Sequence, residues 1–228
     1  WFGHYLTIVR PGAKFLGLSK QLETDPEFSK FVAGFLKEAD TGISEIEAKT
    51  EILTADIKKA MSEILDSMPS SEGVFTDGNV EIIRDQDGFK RRVVRTYHTT
   101  PENNEIPLDF AEESDGTRRM AHLLPALFYS RSKPSVFFID ELERSLHPIL
   151  AKRFLECFTR FGKDQRGQLL FTTHETHLLN LDVLTRDGIW FTEKDKKGAT
   201  NMYSLSDFKV RKDLRIEKGY LLGRFGGI

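Results

Sequence analysis

The chain of 228 residues lacks several features that mark specialised classes of protein. It has a single cysteine, Cys157, which excludes a framework of disulfide bonds. No apolar run reaches the roughly 18 residues of a membrane-spanning helix, and no secretory signal pattern opens the chain. A formal net charge of −2 argues against a dedicated nucleic-acid or membrane-surface binder, although it allows local charged patches. We therefore expect a globular protein of the cytoplasm with no membrane partner.

Among the features that are present, the most informative is Val136–Glu141, with the sequence Val-Phe-Phe-Ile-Asp-Glu. Its four apolar residues predict a buried strand of a parallel sheet, and ligands bind at the carboxyl ends of such strands. There, Asp140 could hold a Mg²⁺ ion, and Glu141 could orient or deprotonate a water molecule. The alternative is an acidic strand end whose carboxylates pair with Arg or Lys.

A short polar segment precedes a predicted helix upstream of this acidic pair. The helical run Arg118–Tyr129 is opened by Ser114, Asp115, Gly116 and Thr117. A Ser-x-Gly turn at a helix start offers backbone N–H groups, a hydroxyl and the positive end of the helix dipole to an anion. The simpler role of Ser114 is to cap the helix, and we expect it to do so.

A turn and a second apolar strand follow the acidic pair. The turn is Ser145–Pro148, and the strand Gln168–Thr173 leads directly to His174. Alone, His174 would be read as an ordinary core or surface histidine. His177 lies only three residues further on, which is one residue short of the His-Glu-x-x-His zinc spacing. The order of the segments therefore matters more than any one of them.

Taken in this order, the segments resemble the motifs of ABC-type ATPases. Ser114–Thr117 resembles the signature motif, and Val136–Glu141 resembles Walker B with its catalytic glutamate. Glu143–Pro148 resembles the D-loop, and His174 resembles the switch histidine. The resemblance implies that two subunits enclose two ATP molecules, each lying between Walker A and Walker B of one subunit and the signature of the other.

A closer resemblance is to bacterial ATPases of abortive-infection and phage-defence systems, which are related to the overcoming-lysogenization nucleases. Those proteins similarly carry Asp-Glu-x-x-x-Ser-Leu-His-Pro, Thr-Thr-His and a closing Gly-Arg-Phe-Gly, here Gly223–Gly226. The resemblance covers roughly residues 110–228. Asp115 departs from the glycine of transporter cassettes, and His147 departs from their Ala or Leu.

The resemblance also implies a set of roles and the cofactors ATP and Mg²⁺. Asp140 holds the Mg²⁺ ion, Glu141 aligns the attacking water, and His174 steadies the transferred phosphoryl group. Ser145 and His147 lie against the nucleotide at the subunit contact. There we expect His147 to act as a turn residue rather than as a catalyst.

One motif of such ATPases is absent, the P-loop Gly-x-x-x-x-Gly-Lys-[Ser/Thr] that cradles the phosphates. The single Gly-Lys pair, Gly162 and Lys163, is followed by Asp164, and Cys157 stands where the first glycine should be. The chain also begins at Trp1 rather than at a methionine. We therefore expect the C-terminal part of a longer ATPase, which lacks the Walker A lobe and does not hydrolyse ATP alone.

The region before the motifs predicts a helical arm over residues 1–70. Asp25, which is followed by proline, has the pattern of an N-cap. Residues 43–67 carry apolar side chains at spacings of three and four, which predicts a helix with a coiled-coil-like seam. Such an arm resembles the insert that often precedes the signature in ABC-type relatives.

Residues 71–109 predict a β-hairpin and a linker. The strands Val80–Arg84 and Phe89–Tyr97 flank a turn signal, Asp-Gln-Asp-Gly. Three arginines lie in the second strand, Arg91, Arg92 and Arg95. They could contact nucleic acid, but a solvated strand face is the interpretation that we favour.

Residues 110–228 predict an α/β lobe with a mainly parallel sheet flanked by helices. Helices and strands alternate here. The expected elements are a helix to about Ser130, a strand Ser135–Asp140, a helix Pro148–Phe161, a strand Gln168–Thr173, a helix Thr176–Leu184 and an edge hairpin of Ile189–Thr192 with Asn201–Ser204.

Three function classes remain open from the sequence. The first is an ATPase whose ATP-gated dimerisation is coupled to an effector such as a nuclease or toxin. The second is an interaction module in which ATP binding assembles subunits without hydrolysis. The third is a metal-dependent nuclease that uses Asp140, Glu141 and His174, against which the apolar strand and the lack of further clustered acids argue.

Overall fold

The computed structural model describes residues 2–15, 17–60, 73–76, 80–85, 88–160, 165–209 and 216–226. The chain forms two compact units, Trp1–Pro11 with Ser130–Ile228, and Gly12–Tyr129. We call the first the parallel-sheet unit and the second the antiparallel-sheet unit. They cut across the three regions expected from the sequence, because the early strand Leu6–Val9 pairs with Ser135–Ile139.

The helices and strands of the described residues are as follows. The α-helices are α1 (Phe2–Tyr5), α2 (Leu18–Thr24), α3 (Pro26–Glu38), α4 (Ala55–Ala60), α5 (Asp115–Ser132), α6 (Pro148–Arg160) and α7 (Ile216–Leu221). The strands are β1 (Leu6–Val9), β2 (Ile43–Ile52), β3 (Gly73–Thr76), β4 (Val80–Asp85), β5 (Gly88–Thr99), β6 (Glu105–Asp109), β7 (Ser135–Ile139), β8 (Gly167–Phe171), β9 (Trp190–Lys194) and β10 (Thr200–Ser204). Short 3₁₀ turns are formed by Phe110–Glu112, Thr176–Leu178, Arg186–Gly188 and Leu205–Asp207.

The long strand β5 is central to the antiparallel-sheet unit. It pairs with β2 along one edge and with β4 and then β6 along the other, while β3 extends the sheet beyond β4. Helix α3 covers β2, and its Phe28, Val32 and Leu36 are fully buried together with Ile46 of the strand. The predicted start of α3 is confirmed, because the Asp25 carboxylate accepts the first free N–H groups of the helix. The predicted hairpin β4–β5 is also confirmed.

The helix predicted over residues 43–67 is wrong in its first part, where strand β2 forms over Ile43–Ile52. Within the predicted range, Ala55–Ala60 do form the short helix α4. A β-bulge between Ile43 and Glu45 turns both Ile43 and Ile46 toward the core, which gives the apolar spacing of three that suggested a helix. Pairing with β5 and cover by α3 then favour the strand. The remainder, residues 61–67, lies outside the described residues.

The arginines of β5 do not form the solvated face that we favoured. Arg92 has a side chain only 10% exposed and pairs with Glu23 at 2.6 Å and with a second carboxylate on β4. Arg91 and Arg95 both pair with Glu51. Their charges are therefore matched by carboxylates within the unit.

The parallel-sheet unit contains three parallel strands in the order β1–β7–β8. Helix α6 joins β7 to β8, and its Ala151, Phe154 and Leu155 are buried. This βαβ unit confirms the predicted alternation, with α6 reaching Arg160 and β8 ending at Phe171. The central strand β7 therefore has a neighbour on each side, and its carboxyl end lies among theirs.

Two predictions for this unit need correction. The helix expected over Thr176–Leu184 is a single 3₁₀ turn, because Leu179 has a ψ of 64°, outside the helical range. The hairpin of β9 and β10 forms, but as a separate two-stranded sheet rather than at the edge of the parallel sheet. Its core includes Phe225 of the closing Gly-Arg-Phe-Gly segment, which stacks on Phe191 with ring centroids 5.7 Å apart. That segment therefore has a structural role.

We expect Gly167→Ala to destabilise the protein. A Cβ on Gly167 would lie 2.3 Å from Cβ and 2.7 Å from Cα of Ser130, which is fully buried. Overpacking of this kind costs about 1–3 kcal/mol. Urea unfolding monitored by circular dichroism should show this loss. The matched control is Gly34→Ala in α3, where a Cβ meets open space and alanine should stabilise the helix by up to about 1 kcal/mol. Equal stability of the two variants would contradict the packing.

Candidate functional site

The acidic pair Asp140 and Glu141 lies directly beyond β7, the middle strand of the parallel sheet. Ile139 at the end of β7 is fully buried, and the next N–H, that of Asp140, donates to the Val9 carbonyl at 2.9 Å. Asp140 is thus held half-buried at the carboxyl edge of the sheet. This edge is where α/β proteins bind ligands, so the geometry expected of a strand-end site is present.

Thr172, which follows β8, joins the two acidic residues. Its hydroxyl donates to Asp140 Oδ1 at 2.6 Å and accepts the backbone N–H of Glu141 at 2.9 Å. Its own N–H donates to the Ile139 carbonyl at 3.0 Å, which extends the pairing of the two strands. Sequence reasoning missed this residue. Because parallel pairing sets Ile139 beside Phe171, the strand register could have placed Thr172 beside Asp140.

The loop after β7 has an unusual backbone. Glu141 has a φ of 49° and Ser145 a φ of 62°, both in the left-handed region that non-glycine residues avoid. Such residues persist where their surroundings fix them, and they cluster at functional sites. The Glu141 carboxylate also lies 3.3 Å from Arg144, as the non-catalytic interpretation expected, although both side chains are well exposed. An exposed pair of this kind contributes little to stability and leaves the carboxylate accessible.

His174 lies at the same edge, two residues beyond Thr172. Its side chain is exposed, and no hydrogen bond to the imidazole is found within the described part of the chain. Its backbone N–H donates to Glu143 Oε1 at 2.9 Å. Glu143 was treated in the sequence only as part of the D-loop, although its place two residues after Glu141 marks a further acid near the site.

His147 forms the start of helix α6. Its Nδ1 accepts the N–H of Ile149 at 3.3 Å, and its carbonyl accepts those of Leu150 and Ala151. His147 thus caps the helix directly after the turn of residues 142–145, while its place at a subunit contact stays a prediction. Ser145, like His147, is exposed. The structure thus brings Asp140, Glu141, Ser145, His147 and His174 into one unit.

The segment Ser114–Thr117 belongs to the antiparallel-sheet unit, at the start of α5. Ser114 Oγ accepts the N–H of Thr117 at 3.1 Å, so the predicted cap is confirmed. Asp115 is exposed and pairs with Arg118. The preceding residue, Glu113, bonds to His98 at 2.7 Å, which ties the start of the helix to β5.

The strand-end residues fit a Mg²⁺ ion that arrives with a substrate. Asp140 uses one carboxylate oxygen for the Thr172 hydroxyl, and a carboxylate has lone pairs enough for a cation as well. Within the described residues, no group of three or more His, Cys, Asp or Glu could hold a metal ion. A cation here would therefore need phosphate and water oxygens, as Mg²⁺ commonly does beside nucleotides. The same finding leaves the nuclease alternative without a cluster of metal ligands in the described residues.

Two carboxylates flank His177, just after His174. Its Nδ1 bonds to Glu175, and its Nε2 lies 3.6 Å from Glu217 of α7. The hydrogen bond and the negative charge of Glu175 raise the pKa of His177, and Glu217 adds to this. The bonds from His177 in turn lower the pKa of Glu175.

Residues 21–180 match the family described as AAA domain, putative AbiEii toxin, Type IV TA system. This is more than half of the 228 residues, and the chain belongs to that family of nucleotide-binding, ATPase-like proteins. The comparison with curated proteins gave no match.

The family match covers a different range of residues from the motif resemblance. It begins at residue 21, so the antiparallel-sheet unit is largely part of the family fold, whereas the motif resemblance covers roughly residues 110–228. It ends at residue 180 and leaves out the C-terminal hairpin. Separately, no helix within the described ranges is long and apolar enough to cross a membrane.

The contacts of His177 predict a pH-dependent contribution to stability. Because the pKa of His177 is raised above 6.5, its contribution is full below pH 6.5 and is lost as pH rises through the folded-state pKa. Because the pKa of Glu175 is lowered below 4.5, its contribution is full above pH 4.5 and is lost as pH falls through the folded-state pKa. The pair should therefore stabilise the fold most between pH 4.5 and 6.5.

NMR titration of the imidazole checks this account. We expect His177 to titrate above 6.5 and to return toward that value in Glu175→Gln, since the amide carries no charge. The stability difference between the two proteins should shrink at alkaline pH. His4→Gln, which changes an exposed histidine of α1, is the control. An unchanged titration of His177 in Glu175→Gln would show that the pair is not formed.

Proposed function

We propose that this chain supplies the Walker B, D-loop, switch-histidine and signature segments of an ABC-type ATPase whose subunits dimerise around ATP. The observation that carries the proposal is the strand-end cluster in which Thr172 links Asp140 to the backbone of Glu141. It fixes the Asp140 carboxylate and the backbone of Glu141 at the edge of a parallel sheet in a member of a P-loop NTPase family. This arrangement suits a nucleotide whose phosphates arrive with a cation.

Each strand-end residue has a role that its surroundings support. Asp140 would hold the cation, because its hydrogen bond to Thr172 fixes the carboxylate at the sheet edge. Glu141 would orient the attacking water with an accessible carboxylate. His174 would donate to the transferred phosphoryl group from the next strand end. When bound, Mg²⁺ supplies charge neutralisation and holds phosphate oxygens. Catalysis then rests on positioning, which the strand pairing provides.

Ser114–Thr117 would act on the nucleotide of a second subunit. The first N–H groups of a helix have no partner within it, and the Ser114 hydroxyl satisfies that of Thr117. The N–H groups of Asp115 and Gly116 are thereby left to an anion at the positive end of the helix. Asp115 departs from the transporter pattern by adding a negative charge, but its pairing with Arg118 offsets that charge.

The phosphate cradle would come from outside these 228 residues, because no segment has the P-loop pattern. The exposed apolar side chains on one face of the parallel sheet are an argument for a further lobe that covers it. Ile8, Phe138 and Leu170 are neighbours on this face, and Ile8 is 60% and Leu170 49% exposed. Parallel sheets are normally covered on both faces. The chain alone should accordingly bind ATP weakly and not hydrolyse it.

The family description suggests the biological setting. It names a putative AbiEii toxin and a type IV toxin–antitoxin system. We propose that ATP-gated dimerisation in the cytoplasm controls an effector toxin or nuclease in bacterial abortive infection. Nucleic acid is not favoured as a direct partner of β5, because its three arginines already pair with carboxylates.

One observation favours a second function, a module that binds ATP and assembles without hydrolysis. Arg144 lies 3.3 Å from the Glu141 carboxylate. If this pair persisted in the assembled dimer, it would compete with the attacking water for Glu141. The two functions differ in turnover, which the next experiment measures.

Glu141→Gln should separate binding from hydrolysis in the full-length protein. The amide keeps the shape but cannot accept a proton from water, so turnover should fall roughly 100-fold or more. ATP binding should remain, and the variant should accumulate as an ATP-bound dimer on size-exclusion chromatography. The control is Glu156→Gln on α6, which removes a partly exposed pair with Lys152. Turnover in Glu141→Gln equal to wild type would rule out the catalytic role, and a wild-type protein that dimerises without turnover would favour the second function.

Thr172→Val should weaken the use of Mg²⁺ in the full-length protein. The substitution keeps the side-chain shape but removes the hydroxyl that holds Asp140, and loss of such a supporting contact typically weakens metal binding about 10-fold or more. A titration of ATPase rate against Mg²⁺ concentration measures the effect. Thr172→Ser retains the hydroxyl and should behave almost like wild type. Equal Mg²⁺ dependence in Val and Ser variants would contradict the role of Thr172.

A further inference from the structure

Glu143 has an environment that stability alone does not explain. One carboxylate oxygen, Oε1, accepts the backbone N–H of His174 at 2.9 Å, across 31 positions of sequence. The other, Oε2, is buried and has no hydrogen-bond partner within the described residues. Burying a carboxylate oxygen without a donor costs free energy, and such exceptions call for an explanation. The hydrogen bond to His174 is the feature that offers one.

The surrounding bonds explain why this contact matters. Glu141 and Leu142 are tied to the second segment by direct bonds, from their N–H groups to the hydroxyl and carbonyl of Thr172. The next bond between the stretch after β7 and the stretch after β8 joins the N–H of His174 to the side chain of Glu143. A charged acceptor makes this bond stronger than a neutral one. The position of His174 therefore depends on a side chain that belongs to the loop of Glu141.

Glu143 also begins the turn that leads to helix α6. Its carbonyl accepts the N–H of Leu146 at 2.8 Å, and His147 caps the helix directly afterwards. Ser145, between these two fixed points, is exposed, and so is the side chain of His147. A displacement of the exposed part would thus move the carbonyl of Glu143 together with its carboxylate.

We propose that Glu143 is a positioning residue that couples the segment Glu143–Pro148 to the switch histidine, His174. When a second subunit contacts the exposed part of the segment, the carboxylate carries the displacement to the backbone of His174. The imidazole itself remains available to a phosphate, because Glu143 holds the backbone and not the ring. This inference rests on the proposed ATPase function for its consequence, but the hydrogen bond can be tested without ATP.

The test compares Glu143→Leu, which removes the acceptor, with Glu143→Gln, which keeps a carbonyl in its place. Amide hydrogen exchange of His174, followed by NMR on the chain itself, is the first measurement. We expect exchange to become about 10-fold faster in Glu143→Leu, because one hydrogen bond is lost, and to change less in Glu143→Gln. The amide of Thr172, bonded to Ile139, is the internal reference. Glu156→Leu on α6 is the control variant.

ATPase kinetics of the full-length protein are the second measurement. Misplacing His174 should lower kcat about 10-fold or more in Glu143→Leu, with KM for ATP nearly unchanged and substantial recovery in Glu143→Gln. Normal kcat in an active Glu143→Leu enzyme whose His174 amide exchanges faster would reject the coupling. If the wild-type protein has no ATPase activity, the proposed function fails, whereas the exchange experiment still decides whether Glu143 holds His174.

The remaining outcomes are equally decisive. Unchanged exchange of the His174 amide in Glu143→Leu overturns the proposal. So does equal acceleration at Thr172, because the strand end would then be loosening as a whole. If Glu143→Leu does not fold, Glu143→Gln decides alone. Loss of the charge should shift the His174 amide proton upfield while that of Thr172 stays in place, and an unchanged His174 shift overturns the proposal.

Discussion

The hydroxyl of Thr172 is the contact on which the candidate site depends. It lies between the ends of two parallel strands and serves both acidic residues, as donor to Asp140 and as acceptor for Glu141. The contact exists because the register of β7 and β8 sets Ile139 beside Phe171. Sheet pairing therefore determines where the Asp140 carboxylate and the backbone of Glu141 lie, and the following loop begins at this point.

The same residues serve structure and proposed chemistry at once. Ser114 and His147 each cap a helix through one side-chain atom, and Glu143 fixes a backbone N–H through one carboxylate oxygen. Each cap satisfies N–H groups that a helix would otherwise leave unpaired. Ser114, His147 and His174 are also exposed. In the proposed ATPase function, backbone and side chains held in this way would be in position before ATP arrives, which is what phosphoryl transfer requires of a protein.

Local signals allowed much of this to be predicted from the sequence. Three elements could be predicted from their own residues alone: the cap at Asp25, the strand before Asp140 and the helix after His147. The strand β2 was predicted wrongly, because a bulge at Ile43 imitates helical spacing. The roles of Thr172 and Glu143 could not be read locally, because each depends on a partner 31 or 32 residues away.

The most direct test of the central claim is a structure of the full-length Glu141→Gln variant trapped with ATP and Mg²⁺. The account predicts a triphosphate enclosed between two copies, with the cation beside Asp140. His174 should lie near the γ-phosphate on one side, and Ser114 of the partner subunit on the other. A nucleotide held wholly within one copy, or a cation remote from Asp140, would contradict it.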